Sequence, residues 1–188
     1  MKKKLVIITT VPISLKFFKG QIGILKESFD IELISSPGPV LDAIGISEGV
    51  TVHTVPMKRN ISIFSDIKSV FVLARVLLKI KPDMVHGSTP KAGLLSMLVS
   101  FVLRIKVRVY YLHGLRYDGV SGKKKSLLRY LERVSCSCAT HVYAVSFGVR
   151  EHLENDKITR KPIHVIHNGS VNGLDLAYFD RTIITKSE

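Results

Sequence analysis

Tryptophan is absent from the 188 residues, and cysteine occurs only twice. Cys136 and Cys138 stand one residue apart, a spacing that suits neither a disulfide nor a zinc knuckle. They read as buried or half-buried free thiols of a reducing compartment. No run of 18 apolar residues occurs, which argues against a transmembrane helix; the nearest candidate, Ala92–Leu103, is too short and reads as a buried helix. The opening Met1-Lys2-Lys3-Lys4 before Leu5–Thr10 imitates a signal peptide. That apolar run is short, β-branched and without a small-residue cleavage site, so it reads as a first strand. The chain also lacks a GxGxxG loop, a Walker lysine loop and a GxSxG elbow, which disfavours nicotinamide or flavin, P-loop and serine-nucleophile chemistry. Its seven histidines are dispersed and none pairs with a carboxylate at ligand spacing, so neither a metal nor a cofactor is expected.

Acidic residues are scarce: 15 Asp and Glu stand against 28 Lys and Arg, for a net charge of +13. Nine basic residues fall between Arg104 and Arg133, with only Asp118 and Glu132 among them. Such a run is first of all a solvated face. Its lopsidedness points further, to an anionic partner such as a membrane surface or a phosphorylated ligand. Nucleic acid is not expected, because interleaved aromatic platforms and zinc spacing are missing.

What is present is a regular alternation. Apolar, β-branched runs at Leu5–Thr10, Ile31–Ser35, Val50–Val55, Asp83–His86, Val107–Leu112, His141–Val145 and Ile163–Ile166 predict strands. Helical periodicity appears over Phe18–Phe29, Ser65–Ile80, Lys91–Arg104, Ser126–Ala139 and Ser146–Glu154, the last with a serine cap. In Ser65–Ile80 the expected buried face is Ile67, Val70, Phe71, Ala74, Leu77 and Leu78. Strands alternating with helices imply right-handed crossovers and a parallel sheet covered on both faces. The expected fold is a doubly wound, Rossmann-like α/β domain of about seven strands over residues 1–169. From residue 170 to 188 the chain reads as the start of an interdomain linker.

In such a sheet, ligands gather where strands end and helices begin, and Val85–Gly93 has that character. Lys91 falls at a helix start, where a cation is locally unfavourable; a bound anion or plain solvent exposure would each account for it. His113 follows the fifth strand beside Gly114, where its imidazole either serves a ligand as hydrogen-bond donor or acid/base, or merely bonds a neighbouring carbonyl. His86 reads as structural, with Gly87 permitting a tight turn. Phe17 and Phe18 cannot easily both face inward, which leaves one for a groove.

Taken in order, these segments resemble the N-terminal half of bacterial family 4 glycosyltransferases of GT-B fold, of the type that builds capsular and other lipid-linked surface glycans. The resemblance rests on Thr9-Thr10-Val11-Pro12 with Gly20-Gln21-Ile22, Ser35-Ser36-Pro37-Gly38, and Val55-Pro56-Met57 with Arg59, Ile61 and Ser62. It continues through Pro82-Asp83 with Val85-His86 and Thr89-Pro90-Lys91-Ala92-Gly93, then His113-Gly114-Leu115-Arg116, Ala144-Val145-Ser146, and Asn168-Gly169-Ser170 with Asn172, Gly173 and Asp175. One departure is Gly87-Ser88, where the family usually carries a second histidine.

The resemblance implies transfer of a sugar, with retention and without an obligatory metal, from a nucleotide sugar to a lipid-linked glycan acceptor. By analogy His113 is the catalytic-side residue reaching the donor sugar. Lys16, Gly20, Gln21, Thr89 and Lys91 line the acceptor side. The donor would bind mainly in a C-terminal domain, whose paired glutamates eight positions apart have no counterpart here. The chain is therefore expected to be inactive alone, cytoplasmic, and peripheral on the inner face of the cell membrane, with its basic face toward anionic lipid. The alternatives are a non-catalytic membrane-recruitment subunit of a split glycosyltransferase, and a nucleotide-sugar epimerase, which the Thr-Pro-Lys-Ala-Gly wording disfavours.

Overall fold

Seven parallel strands form one sheet in the order β3-β2-β1-β4-β5-β6-β7. In the computed structural model, which describes residues 2–60 and 62–173, the strands are β1 (Lys3–Ile8), β2 (Phe29–Ser35), β3 (Thr51–Thr54), β4 (Met84–Ser88), β5 (Val107–Leu112), β6 (His141–Ala144) and β7 (Ile163–Val165). The helices are α1 (Gln21–Ser28), α2 (Pro39–Glu48), α3 (Ile63–Ile80), α4 (Pro90–Val102), α5 (Gly122–Cys138) and α6 (Phe147–Asn155), and a 3-10 helix spans Pro12–Phe18. Every strand predicted from sequence is present, and Ser146 caps α6 by accepting from Val149 N–H at 3.3 Å. The two cysteines are free and buried at the end of α5. Of the expected linker, residues 174–188, with Asp175 of the family turn, lie outside the described residues.

The strand order reverses between β1 and β4, the switch point at which open α/β sheets leave a crevice. β1 is buried on both faces over its apolar run Leu5–Ile8, and in β4 Val85, Gly87 and Ser88 are buried while Met84 and His86 are partly so. Helices α3 to α6 pack on one face around Val6, Ile34, Val85, Tyr110 and Val142. The 3-10 helix, α1 and α2 cover the other face around Leu5, Ile7, Leu33 and Leu41. That second cover stops short. Over β6 and β7 His141 and His164 are exposed and Tyr143 is partly so; among the described residues the expected two-sided cover is complete only on the α3–α6 side.

Three local differences from the sequence reading have physical reasons. Helix α2 was not expected, although Pro39 sits in its first turn and Gly49 closes it at φ +60°. Its apolar residues are too scattered to announce a face. In α3 the buried stripe is Ser69, Leu73, Leu77 and Ile80, so the helix is rotated from the expected orientation and leaves Ile67, Phe71 and Leu78 exposed. Ser69 helps to fix that rotation, because its hydroxyl donates to Pro56 O at 2.5 Å and Ser65 O at 2.8 Å. In α5 the start lies at Gly122, four residues early, and Leu127 faces outward while Glu132 and Cys136 are buried.

Glycine has a packing role in the β4–α4 unit. A Cβ on Gly93 would stand 2.1 Å from the Tyr110 ring, and one on Gly87 2.2 Å from Ser96 Oγ. Gly87 therefore lies within β4 to let α4 approach, rather than in the tight turn expected of it.

Candidate active site

The site is built at the switch point, on the ends of β1 and β4. Thr10 follows β1, and Thr89 joins β4 to α4. Their hydroxyls meet at 2.7 Å, and Thr10 N–H donates to Thr89 Oγ1 at 3.1 Å. Thr10 Oγ1 also accepts from Ala92 N–H at 3.0 Å, so a residue of the loop after β1 caps the first turn of α4. Thr89, the formal N-cap, makes no cap bond and holds φ +71°, ψ 146°. A positive φ on a β-branched residue costs about 1–3 kcal/mol and persists only where its surroundings enforce it. Here the Thr10 contacts and Gly93 N–H donating to Thr89 O at 2.7 Å supply that enforcement.

Over this turn opens a polar cavity of about 360 Å³, lined by Thr10, Ser14, Arg59, Asn60, Thr89, Lys91 and Arg116. Lys91 is buried. Its ammonium donates to Asp66 Oδ1 at 2.6 Å and to Asn60 O, so the α3 carboxylate explains a cation in the first turn of α4. Arg116 and Arg59 are exposed and linked, with Arg116 Nη1 donating to Arg59 O at 2.8 Å. They give the cavity its uncommitted positive charge.

His113 follows β5 on the same edge, among aromatic rings. Phe17 stacks on it at 4.9 Å between centroids, Tyr111 lies at 4.8 Å, and Phe18 meets it edge-on at 6.5 Å. Phe18 is buried and Phe17 exposed, the division of labour expected of the pair. Neither nitrogen of His113 has a hydrogen-bond partner, and neither does His86 Nε2. Burial pushes His113 down to about 4. Burial, and then the neighbouring His113, push His86 down to about 3. Both imidazoles are neutral at pH 7, and His113 offers one donor and one acceptor nitrogen without an internal partner.

The structure brings Thr89 and Lys91 together in the cavity. Lys16 and Gly20 are exposed and outside its lining; Gly20 has φ +79° as the N-cap of α1. The Gln21 amide donates to Val171 O and Asn172 Oδ1, each at 2.5 Å, tying α1 to the loop after β7. Sequence reasoning did not select Thr10, Arg59, Asp66 or Arg116 as site residues, although Thr10 ends the first strand at the edge already under suspicion. The partnering of Asp66 with Lys91 spans 25 residues and carries no local signal. Among the described residues no three His, Cys, Asp or Glu side chains gather as a metal site.

The profile of Glycosyltransferase Family 4 matches residues 24–170. The capsular polysaccharide biosynthesis glycosyltransferase CapM of Staphylococcus aureus is 32% identical over 179 residues, 94% of this chain and 46% of that protein. The UDP-Gal:alpha-D-GlcNAc-diphosphoundecaprenol alpha-1,3-galactosyltransferase of Escherichia coli is 30% identical over 160 residues, 82% of this chain and 39% of that protein. The chain thus spans less than half the length of these curated relatives. A solved glycosyltransferase from Rickettsia africae superposes with a TM-score of 0.67 at 22% identity, covering 98% of this chain and 47% of that one. The UDP-GlcNAc 2-epimerase of Neisseria meningitidis does so with a TM-score of 0.61 at 20% identity, covering 89% and 46%. At these identities the two structures show the fold alone.

Proposed function

The chain belongs to glycosyltransferase family 4, and from that premise we propose that it forms the acceptor side of a retaining glycosyltransferase of surface polysaccharide synthesis. The acceptor is a lipid-linked glycan, and the nucleotide-sugar donor is held mainly by a separate C-terminal domain. The bond from sugar C1 to the nucleotide phosphate breaks, a bond from C1 to an acceptor hydroxyl oxygen forms, and the hydroxyl proton leaves with the departing phosphate.

One observation carries the reading: His113, with two unpartnered nitrogens, stands at the same strand edge as a polar cavity lined by two arginines that no carboxylate among the described residues pairs, although it is not itself part of that lining. Buried polar atoms without partners are uncommon in folded proteins. A neutral imidazole there suits a hydrogen bond to a sugar hydroxyl better than it suits charge pairing. His113 is thus assigned to the donor sugar, and Thr89 and Lys91 to the acceptor, with Lys91 acting through the geometry that Asp66 imposes. Lys16, Gly20 and Gln21 border the acceptor on the α1 side, Gln21 as the tie to residues 171 and 172.

The surface supports work beside anionic lipid. No helix among the described residues is long and apolar enough to cross a membrane. Exposed Lys123 and Lys124 open α5, and exposed Ile63 and Phe64 open α3; both helices start at the ligand edge. Basic and apolar side chains together favour peripheral binding, here on the cytoplasmic face.

The test uses a protein carrying this chain together with a donor-binding domain. His113→Ala should lower kcat about 100-fold while leaving acceptor KM nearly unchanged; normal turnover would refute the assignment. Flotation with anionic vesicles should capture the chain at low salt and release it at high salt.

A further inference from the structure

We infer that an apolar groove between α3 and α5 holds the hydrocarbon chain of a phosphate-linked lipid whose head group lies over the Thr10–Thr89 turn. This deepens, and rests on, the lipid-linked acceptor reading above. The groove, of about 270 Å³, is walled by Ile67 and Val70 of α3, Leu94 and Leu95 of α4, and Leu128 and Leu131 of α5. At one end Pro90, Lys91 and Arg116 line both this groove and the polar cavity. The two therefore form one trough, polar at the switch point and apolar away from it.

That sequence of environments fits an amphiphile joined through an anionic link. The guanidinium of Arg116 stands at the junction, and Arg59 lies on the polar side, matching a phosphate or diphosphate between head and tail. The acidic groups of the trough are accounted for: Asp66 is paired with Lys91, and Glu132 Oε2 accepts from the Tyr110 hydroxyl at 2.6 Å. Protein interiors normally close apolar gaps with their own side chains, and this one stays open on three helices.

The rim gives an independent indication of the occupant. Ile63 is 70% exposed and Ile67 50%, and the apolar stripe continues along α3 through Phe71 at 66% and Leu78 at 57%. Lys68, Arg75 and Lys79 are exposed on the same helix. An apolar stripe beside lysine and arginine is the face of a helix that lies at a lipid surface. A chain leaving the groove thus passes onto a surface suited to hydrocarbon on one side and to anionic head groups on the other.

Calorimetry on the chain with inorganic diphosphate and with farnesyl diphosphate, kept below its aggregation threshold, tests this. Each methylene withdrawn from water contributes about fourfold in affinity, so the prenyl compound should bind at least tenfold more tightly. Ile67→Asp, at an exposed rim position, and Leu131→Trp, which fills the groove, should each remove most of that gain while leaving inorganic diphosphate binding intact. Circular dichroism confirms that both variants fold. Equal affinity for the two compounds, or a prenyl gain that survives both variants, overturns the groove and leaves the acceptor head-group reading standing. Failure of both compounds to bind overturns the lipid-linked acceptor reading, and the groove with it.

Discussion

Two clusters share the C-terminal edge of the sheet and are finished differently. At Thr10 and Thr89 the hydroxyls bond each other and the α4 amide, and Lys91 is matched by Asp66. At His113, the residue that follows β5 at the same edge, both ring nitrogens are without partners although rings press on them from several sides. A closed network holds geometry, whereas an open one is completed by something else. On the proposed function the first cluster is scaffold that shapes the cavity, and the second is where a ligand would supply the missing bonds. If so, damage to the first should appear as lost stability, and damage to the second as lost function with the fold intact.

Acidification should separate them most strongly. His113 and His86 stay neutral in the fold down to about 4 and about 3, whereas in the unfolded chain each takes up a proton near pH 6.5. The unfolded state then binds more protons, so stability falls as pH drops below about 6.5, by roughly 3 kcal/mol at pH 5 after allowance for partial exposure of the rings. Glu132 acts in the opposite direction: burial raises it to about 7, so its contribution is complete below about 4.5 and is lost as pH rises through 7. Denaturant titrations from pH 5 to 8 should show a limb falling on each side. His113→Ala should make the acid limb shallower and Glu132→Gln should flatten the neutral one; an acid limb unchanged by His113→Ala would break the comparison.

Gly93→Ala comes next. Alanine ordinarily gains about 1 kcal/mol over glycine inside a helix. Here its Cβ would strike the Tyr110 ring, which is fully buried and anchored to Glu132. The expected result is a loss of about 2–3 kcal/mol by overpacking, so the sign of the change alone decides. Thr10→Val follows at about 2 kcal/mol, because it leaves Ala92 N–H without its acceptor and reduces the Thr89 hydroxyl to its bond from the Thr10 backbone N–H. Thermal unfolding measures both, and a Thr10→Val protein as stable as the parent would mean that the network is not the scaffold.

The same contrast governs what could be read from sequence. Strands were legible because buried parallel strands are unbroken apolar runs, and the edge was legible because Thr89-Pro90-Lys91 follows one of them. The split between Phe17 and Phe18 followed from their adjacency. Rotation of α3 was not legible, because the helix carries two apolar stripes, Ser69-Leu73-Leu77-Ile80 and Ile63-Ile67-Phe71-Leu78, and only the position of α4 decides which one is buried. The partners of Lys91 and Tyr110 lie 25 and 22 residues away and depend on the same packing. The reason for Gly87 was likewise hidden, because it lies in the helix packed against β4 and not in a turn.

The smallest expected effect is the most discriminating. His113→Ala at pH 8, where His113 and His86 are neutral in both states, removes no internal hydrogen bond, because His113 makes none. It gives up ring contacts with Phe17 and Tyr111, but it also removes two polar nitrogens that the fold shields from water without bonding them. These effects oppose each other, so the net change in stability should stay below about 1 kcal/mol, close to the scatter of a denaturant titration. A larger loss would mean that the imidazole holds the fold together as Thr10 does, and the distinction between the clusters would vanish. A small loss, beside the roughly 100-fold fall in turnover expected for the same substitution, would mark His113 as a residue kept unsatisfied by the protein and satisfied by its ligand.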